Sequence, residues 1–313
     1  GGDTDWVAVT VGEGEAVQID LRGAPSGVGT LSDPYLRLYD ADGNYLTGND
    51  DGGTGYESRL TIQVPGTYYI SAEAYSTSYT GTYEISVTEA TPLPVFTHDE
   101  IADQLTDGYW ESTGRSARAF DVGPGGTLTV NLSALTADGQ FLARAALEAW
   151  TNVTGINFLE TSGTAQITFE DDDPDGAYAS SYVSNGVIQS STVNIPPSWL
   201  DRSGTTLDSY SFQTYIHEIG HALGLGHAGN YNGSAGYGTD NDYLNDSWQA
   251  TVMSYFDQED NTYIDADYAY VMTAMIADII AIQNLYGDPS DGVRFEEGRT
   301  VWGANSTLGG YLG

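Results

Sequence analysis

Three of the four histidines in this 313-residue chain fall within eleven positions, in the stretch HEIGHALGLGH from 217 to 227. On a helix, His217 and His221 are one turn apart and project from one face. Their Cβ atoms then stand about 5–6 Å apart, a separation that two ligands of one tetrahedral ion can use. His227, six residues further on, would be out of reach if the helix simply continued. Gly224 can take the left-handed conformation that turns the chain back and delivers His227 to the metal. Three neutral imidazoles leave a fourth position for water, which is the arrangement of a catalytic Zn2+ site rather than a closed structural one. The ion lowers the pKa of water from about 15.7 toward about 7 and polarises a carbonyl. Glu218, beside the first ligand, can take the proton as water attacks and pass it to a leaving amine. A lone histidine such as His98 is better read as a surface or packing residue. At 217–227 ligands, base and turn glycine coincide in a single motif.

The elements that must hold these groups are legible from periodicity. SYSFQTYIHEIGHALGLG reads as a helix that ends at Gly224 and Gly226. DGQFLARAALEAWTNVTG places Phe141, Leu142, Ala145, Ala146, Ala149 and Trp150 at helical spacing, with Gly155 as its stop. DADYAYVMTAMIADIIAIQNLYG reads as a third helix, with Asp265 as N-cap and Gly287 as C-cap. Its tyrosines, Tyr268, Tyr270 and Tyr286, are read as packing residues. INFLET, AQITFEDD, GAYASSYV and STVNIP are β-rich segments separated by turn residues and should form a sheet against the helices. Residues 96–287 are therefore expected to be an α+β catalytic domain, a mixed sheet with three main helices. Before it, 1–90 shows short alternating runs (WVAVTV, AVQIDL, YLRLYD, SRLTIQV, TYYISAEA, TYEISV) between Gly, Asp and Asn, the rhythm of an all-β sandwich. Residues 91–95, within EATPLPVF, read as an extended linker.

The zinc motif followed by a methionine turn, here TVMSYF (251–256), marks the metzincin peptidases. Within that clan the chain resembles the serralysin family of secreted bacterial zinc endopeptidases. The resemblance runs through FTHDEIADQLTDGYW, ARAALEAWTNVTGINFLE, YIHEIGHALGLGH and TVMSYF, and covers about two thirds of the chain. It implies that Met253 forms a hydrophobic floor under the metal. It also implies that Tyr255 contacts zinc at rest and swings to support the oxyanion. Substrate would lie extended and antiparallel against an edge strand, whose counterpart is GAYASSYV (176–183), with Ala177, Tyr178 and Ala179 as contact residues. Main-chain pairing of this kind tolerates many side chains.

Two features depart from the family. Serralysins carry a Ca2+-binding roll of Gly and Asp nonapeptides, whereas 288–313 resembles only the entry into such a roll. The front segment resembles the pre-peptidase C-terminal type of β-sandwich, placed before the peptidase rather than behind it. Its GNDDGG turn makes Asn49, Asp50 and Asp51 candidate Ca2+ ligands, against the plainer reading of solvated turn residues, which also suits EDDDPD (170–175).

The formal charge of −35, with nine Arg and no Lys, disfavours nucleic acid as a partner, because such a field repels phosphates. Cysteine is absent, which excludes disulfides and thiolate chemistry. No 18-residue apolar run spans a bilayer, and GGDTDW is not a signal peptide. The expectation is a secreted, monomeric zinc endopeptidase acting on proteins and larger peptides, with Ca2+ as a second candidate cofactor. Two alternatives stand beside it: a binding or adhesion protein on a peptidase-like scaffold, and a metzincin of another family such as a matrixin or astacin.

Overall fold

The computed structural model describes residues 4–289. The proposed entry into a β-roll therefore lies outside the described residues. The chain forms two compact units. Among the described residues the first comprises 4–95 together with Tyr231–Asn245 and Gln258–Asp267; the second comprises Phe96–Asn230, Asp246–Asp257 and 268–289.

In the first unit seven strands run β1 (Asp5–Val11), β2 (Ala16–Arg22), β3 (Pro34–Tyr39), β4 (Tyr45–Asn49), β5 (Ser58–Ile62), β6 (Gly66–Ala74) and β7 (Glu84–Ala90). They make a four-stranded sheet in the order β1-β6-β3-β4 and a three-stranded sheet in the order β5-β2-β7, both antiparallel. Alternation drives this: in β3 Leu36 and Leu38 are buried while Tyr35, Arg37 and Tyr39 are half-buried. Val9, Ile19, Leu21, Leu36, Leu60 and Ile70, drawn from both sheets, close one core. β4 has no counterpart among the expected strands; it is an edge strand with no buried residue, so it carries no alternating signal.

Glu57, which precedes β5, is 1% exposed. One of its oxygens accepts from the Gly23 N–H (2.8 Å), the Ser26 N–H (3.0 Å) and the Ser26 hydroxyl (2.6 Å). Burial alone would raise this carboxyl, but these donors and the nearby Arg22 hold it below its ordinary value.

The second unit begins with α1 (His98–Asp103), a π-helical turn (Gln104–Gly108) and α2 (Tyr109–Ser112), none of them read as helix from periodicity. There follow β8 (Thr127–Asn131), α3 (Ala137–Thr154), β9 (Asn157–Glu160), β10 (Ile167–Glu170), β11 (Tyr178–Ser184), β12 (Val187–Asn194), α4 (Pro197–Ser203), α5 (Tyr210–Ala222) and α6 (Ile276–Tyr286). The sheet is mixed, ordered β11-β12-β10-β8-β9, with β11 antiparallel at one edge and the other strands parallel. Thr136 caps α3 by accepting from the Gly139 N–H, and Gly155 ends it at φ 67°. Leu142, Ala145, Ala146, Ala149 and Trp150 face the core as expected, whereas Phe141 is 50% exposed and lies off that face.

The third helix is shorter than its periodicity suggests: it starts at Ile276, and Asp265 does not cap it. Tyr268 and Tyr270, two residues apart, would diverge on a helix but pack together in an extended chain. Their rings meet at 5.5 Å, with Tyr268 against Trp248 and Tyr270 against Tyr210 at 6.0 Å each. The Val271 N–H is taken by the distant Gln213 side chain (2.7 Å) and the Met275 N–H by the capping Asp278 (2.8 Å), so side-chain acceptors replace the helical ones. Gly287 does end the helix, at φ 95°.

Glu57→Ala is expected to destabilise the first unit by about 1–3 kcal/mol, since the buried Gly23 N–H and the two donors of Ser26 lose their acceptor. Because the folded carboxyl is held low, its contribution is complete above the unfolded value of about 4.3 and is lost as pH falls through the lower folded value. Denaturant unfolding at several pH values checks this. The variant should lose stability at neutral pH and show a shallower acid limb, and identical curves would refute the assignment.

Candidate metal centre

α5 is set by its N-cap, Ser209, whose side chain accepts from the Phe212 N–H, and is buried along most of its surface. Its end is a Schellman motif: Gly224 N–H donates to His221 O (3.0 Å) and Leu225 N–H to Gly220 O (3.0 Å), with Gly224 at φ 115°. A Cβ at Gly224 would lie 2.1 Å from Arg118 O, so backbone angle and space both require glycine. The turn brings His227 back onto His217 and His221, and the ligand atoms of all three lie within 4.8 Å of one another.

Nδ1 of His217 faces Val252 O and Nδ1 of His221 faces Leu225 O, each at 2.8 Å. A carbonyl can only accept, so both Nδ1 atoms carry the hydrogen and both Nε2 atoms present a lone pair. Nε2 of His221 stands 2.9 Å from Nε2 of His227, within reach of one ion held at about 2.0–2.1 Å from each. Burial pulls His217 down to about 4, against the opposing effect of its bond to Val252. Burial, aided by His217, pulls His221 down to about 3. Both are neutral ligands at pH 7.

Glu218 is 6% exposed, and burial pushes its carboxyl up to about 8. Its Oε2 is buried without a hydrogen-bond partner. Glu218, the residue that follows the first of three convergent imidazoles, thus carries an orphaned acceptor. The donor set fits Zn2+.

Met253 is fully buried, and Gly220 explains how it reaches the site: a Cβ there would lie 2.8 Å from Met253 Sδ and 3.2 Å from Trp150 Cζ2. The Tyr255 ring lies 4.6 Å from that of His227 and 6.2 Å from that of His217. Ala177 immediately precedes β11, in which Tyr178 pairs with Asn194 and Ala179 with Val193. β11 is an edge strand packed against α5. Asn49, Asp50 and Asp51 lie in the other unit. Asn49 Oδ1 accepts from the Gly52 and Arg59 N–H groups (2.6 and 3.1 Å), and the two aspartates add to the burial that raises Asp33. Among the described residues, the three histidines are the one gathered group of metal-ligating His, Cys, Asp or Glu side chains. His98 is exposed at the start of α1.

Sequence reasoning missed the residues that support the ligands. Asp278, fully buried, accepts from the Thr251 hydroxyl and the Val252 N–H (2.9 Å), so α6 carries the methionine turn. Burial raises Asp278 to about 6, against the effect of these donors. At the end of α5 the carbonyls of Ala222, Leu223 and Gly224 accept from Ser191 Oγ (2.9 Å), the Tyr286 hydroxyl (2.5 Å) and Trp110 Nε1 (2.8 Å). The only signal available was the FTHDEIADQLTDGYW resemblance, which ends on Trp110 without giving it a task.

The profile of metallopeptidase family M12B, reprolysin-like, matches residues 116–280. The chain belongs to this metallopeptidase family. Its sequence relatives include a serralysin of Photorhabdus sp. (strain Az29), 36% identical over 184 residues, or 56% of this chain and 37% of that one. Metallopeptidase AprA of Pseudomonas marginalis is 31% identical over 246 residues, covering 69% of this chain and 50% of that one. The chain thus spans between about a third and a half of the curated relatives it matches. Among solved structures, myroilysin overlaps 52% of this chain and 93% of its own, at 22% identity and a TM-score of 0.34. The fold is the mixed sheet with helices of a metzincin-like peptidase. Among the described residues no helix is long and apolar enough to cross a membrane.

Gly224→Ala is expected to lose stoichiometric zinc uptake and to melt at a lower temperature, since its Cβ meets a backbone oxygen. Elemental analysis after dialysis and thermal unfolding test this, and a variant with one zinc per chain and the parent's melting temperature would show that the turn accepts a side chain.

Proposed function

We propose that the chain is a secreted zinc-dependent endopeptidase that hydrolyses peptide bonds in proteins and larger peptides. The observation that carries this reading is the buried, unpartnered Oε2 of Glu218 beside three imidazoles whose Nε2 atoms converge. A binding protein on the same scaffold would have no use for that costly carboxylate.

When bound, Zn2+ supplies Lewis acidity, lowering the pKa of water from about 15.7 toward about 7 and polarising the scissile carbonyl. His217, His221 and His227 hold it, with the first two fixed in tautomer by Val252 O and Leu225 O. Glu218 takes the proton of the attacking water and, once protonated, returns it to the leaving amine. Tyr255, packed on His227, donates to the oxygen that gains charge. The substrate backbone pairs with the open edge of β11 near Ala177, Tyr178 and Ala179, which orients the bond over Glu218 without demanding a sequence. We assign catalysis to 96–287 and read 1–90 as an accessory β-sandwich of the pre-peptidase C-terminal kind, joined through 91–95. Two sheets around one core support that reading.

Casein cleavage with and without a zinc chelator, run beside two variants, tests the proposal. Glu218→Ala should keep its zinc and lose nearly all turnover, and Tyr255→Phe should lose roughly 10²–10³-fold in kcat. Parent-like activity in both variants, or chelator-resistant cleavage, would sink it.

A further inference from the structure

His217 and His221 are placed by a helix, but His227 lies beyond the helix end and needs another restraint. The structure supplies one in the segment 104–110. At the π-helical turn the Tyr109 N–H reaches back five residues to Gln104 O. Leu105 O therefore lacks its usual helical donor and accepts from the Gly226 N–H at 2.7 Å. The next two side chains close the same loop. The Tyr109 ring meets that of His227 edge-on at 5.0 Å and fills the space where a Cβ at Gly226 would stand, 2.4 Å from its Cδ1. The Trp110 indole donates to Gly224 O at 2.8 Å and is covered by the Arg118 guanidinium, 3.7 Å from the ring centroid. Tyr109 and Trp110 are both buried.

We propose that Tyr109 and Trp110, presented by the π-helical turn, are positioning residues for the third metal ligand, holding His227 ready before the ion arrives. The inference rests on the zinc-site reading above but concerns how the ligand is held, not which reaction follows. A π turn shifts the residues after it around the helix axis, which puts two consecutive aromatic side chains and one released carbonyl on the same loop. A regular helix would return that carbonyl to its own ladder. Glycines at 224 and 226 then have a joint reason: one accommodates the backbone of Arg118, the other the ring of Tyr109.

Trp110→Phe keeps an aromatic ring but removes the donor to Gly224 along with part of the buried ring volume. Zinc release to a chelator should be faster in this variant by about tenfold or more, the usual scale for losing support behind a metal ligand. Co2+ in place of zinc should show an altered visible spectrum, and kcat should fall with KM little changed. Val130→Ala, a fully buried change in β8, serves as a control for stability loss alone: it should lower the melting temperature yet release zinc at the parent's rate. Release that is unchanged in Trp110→Phe, or equally accelerated in Val130→Ala, overturns the proposal. If Trp110→Phe does not fold, hydrogen exchange on the zinc-free parent decides. Protection of the Gly226 amide comparable to that of α5 supports a preformed loop, and rapid exchange refutes it. A parent that binds no zinc would overturn the peptidase reading and this one together, whereas a zinc-loaded parent with an unaffected variant overturns this one alone.

Discussion

The end of α5 is the constraint around which the second unit is organised. A helix that stops in the protein interior leaves its last carbonyls without donors, and a buried acceptor without a partner is costly. Here the helix stops so that the chain can bring His227 back onto His217 and His221, and it stops in the interior, where Ala222, Leu223 and Leu225 are fully buried. Three successive carbonyls, of Ala222, Leu223 and Gly224, are satisfied by side chains from β12, α6 and α2. The sheet, the last helix and the second helix thus each contribute one donor to a single turn. Tyr286 does a second job, accepting the Phe120 N–H (3.1 Å), which ties the chain leading into the sheet to the same point.

A second junction works from the opposite side. The methionine turn presents Val252 O to His217 and Met253 O to the Ala228 N–H, at 2.8 and 3.2 Å, so one short segment steadies a ligand on the helix and the residue following the ligand beyond it. Asp278 binds that turn to α6, and Trp150 of α3 donates to Ile216 O (3.0 Å), one residue before the first ligand. Gly220 belongs to this packing. It lies between the histidines in sequence, yet its task is to let Met253 and Trp150 approach the helix from below.

What could be read from sequence follows from the range of the interactions involved. The histidine spacing, Glu218 and Gly224 were legible because a helical turn and its glycine stop are local events. α3 and its stop at Gly155 were legible for the same reason. The start of α6 was not: Asp278 caps it while also holding a turn more than twenty residues away, and Tyr268 and Tyr270 stay off the helix by packing on Trp248 and Tyr210. β4 and the π-helical turn carry no clean period at all. Trp110, Tyr286, Ser191 and Asp278 act by pairing a side chain with a distant backbone group, and no sequence window contains both partners.

The polar groups left over on α5 show where stability yields to function. Ser211 Oγ, Tyr215 Oη and Glu218 Oε2 are buried without hydrogen-bond partners, and at spacings of four and three residues they form one stripe along the helix. The first unit offers a contrast, since one oxygen of its most buried carboxylate, Glu57, accepts from three donors. The same chain thus gathers three donors on an oxygen of one buried carboxylate and leaves Oε2 of the other without any. In the proposed mechanism the unpaired oxygen is desolvated and available as a base, on a helix packed against the buried Met253 and ended by the capped turn.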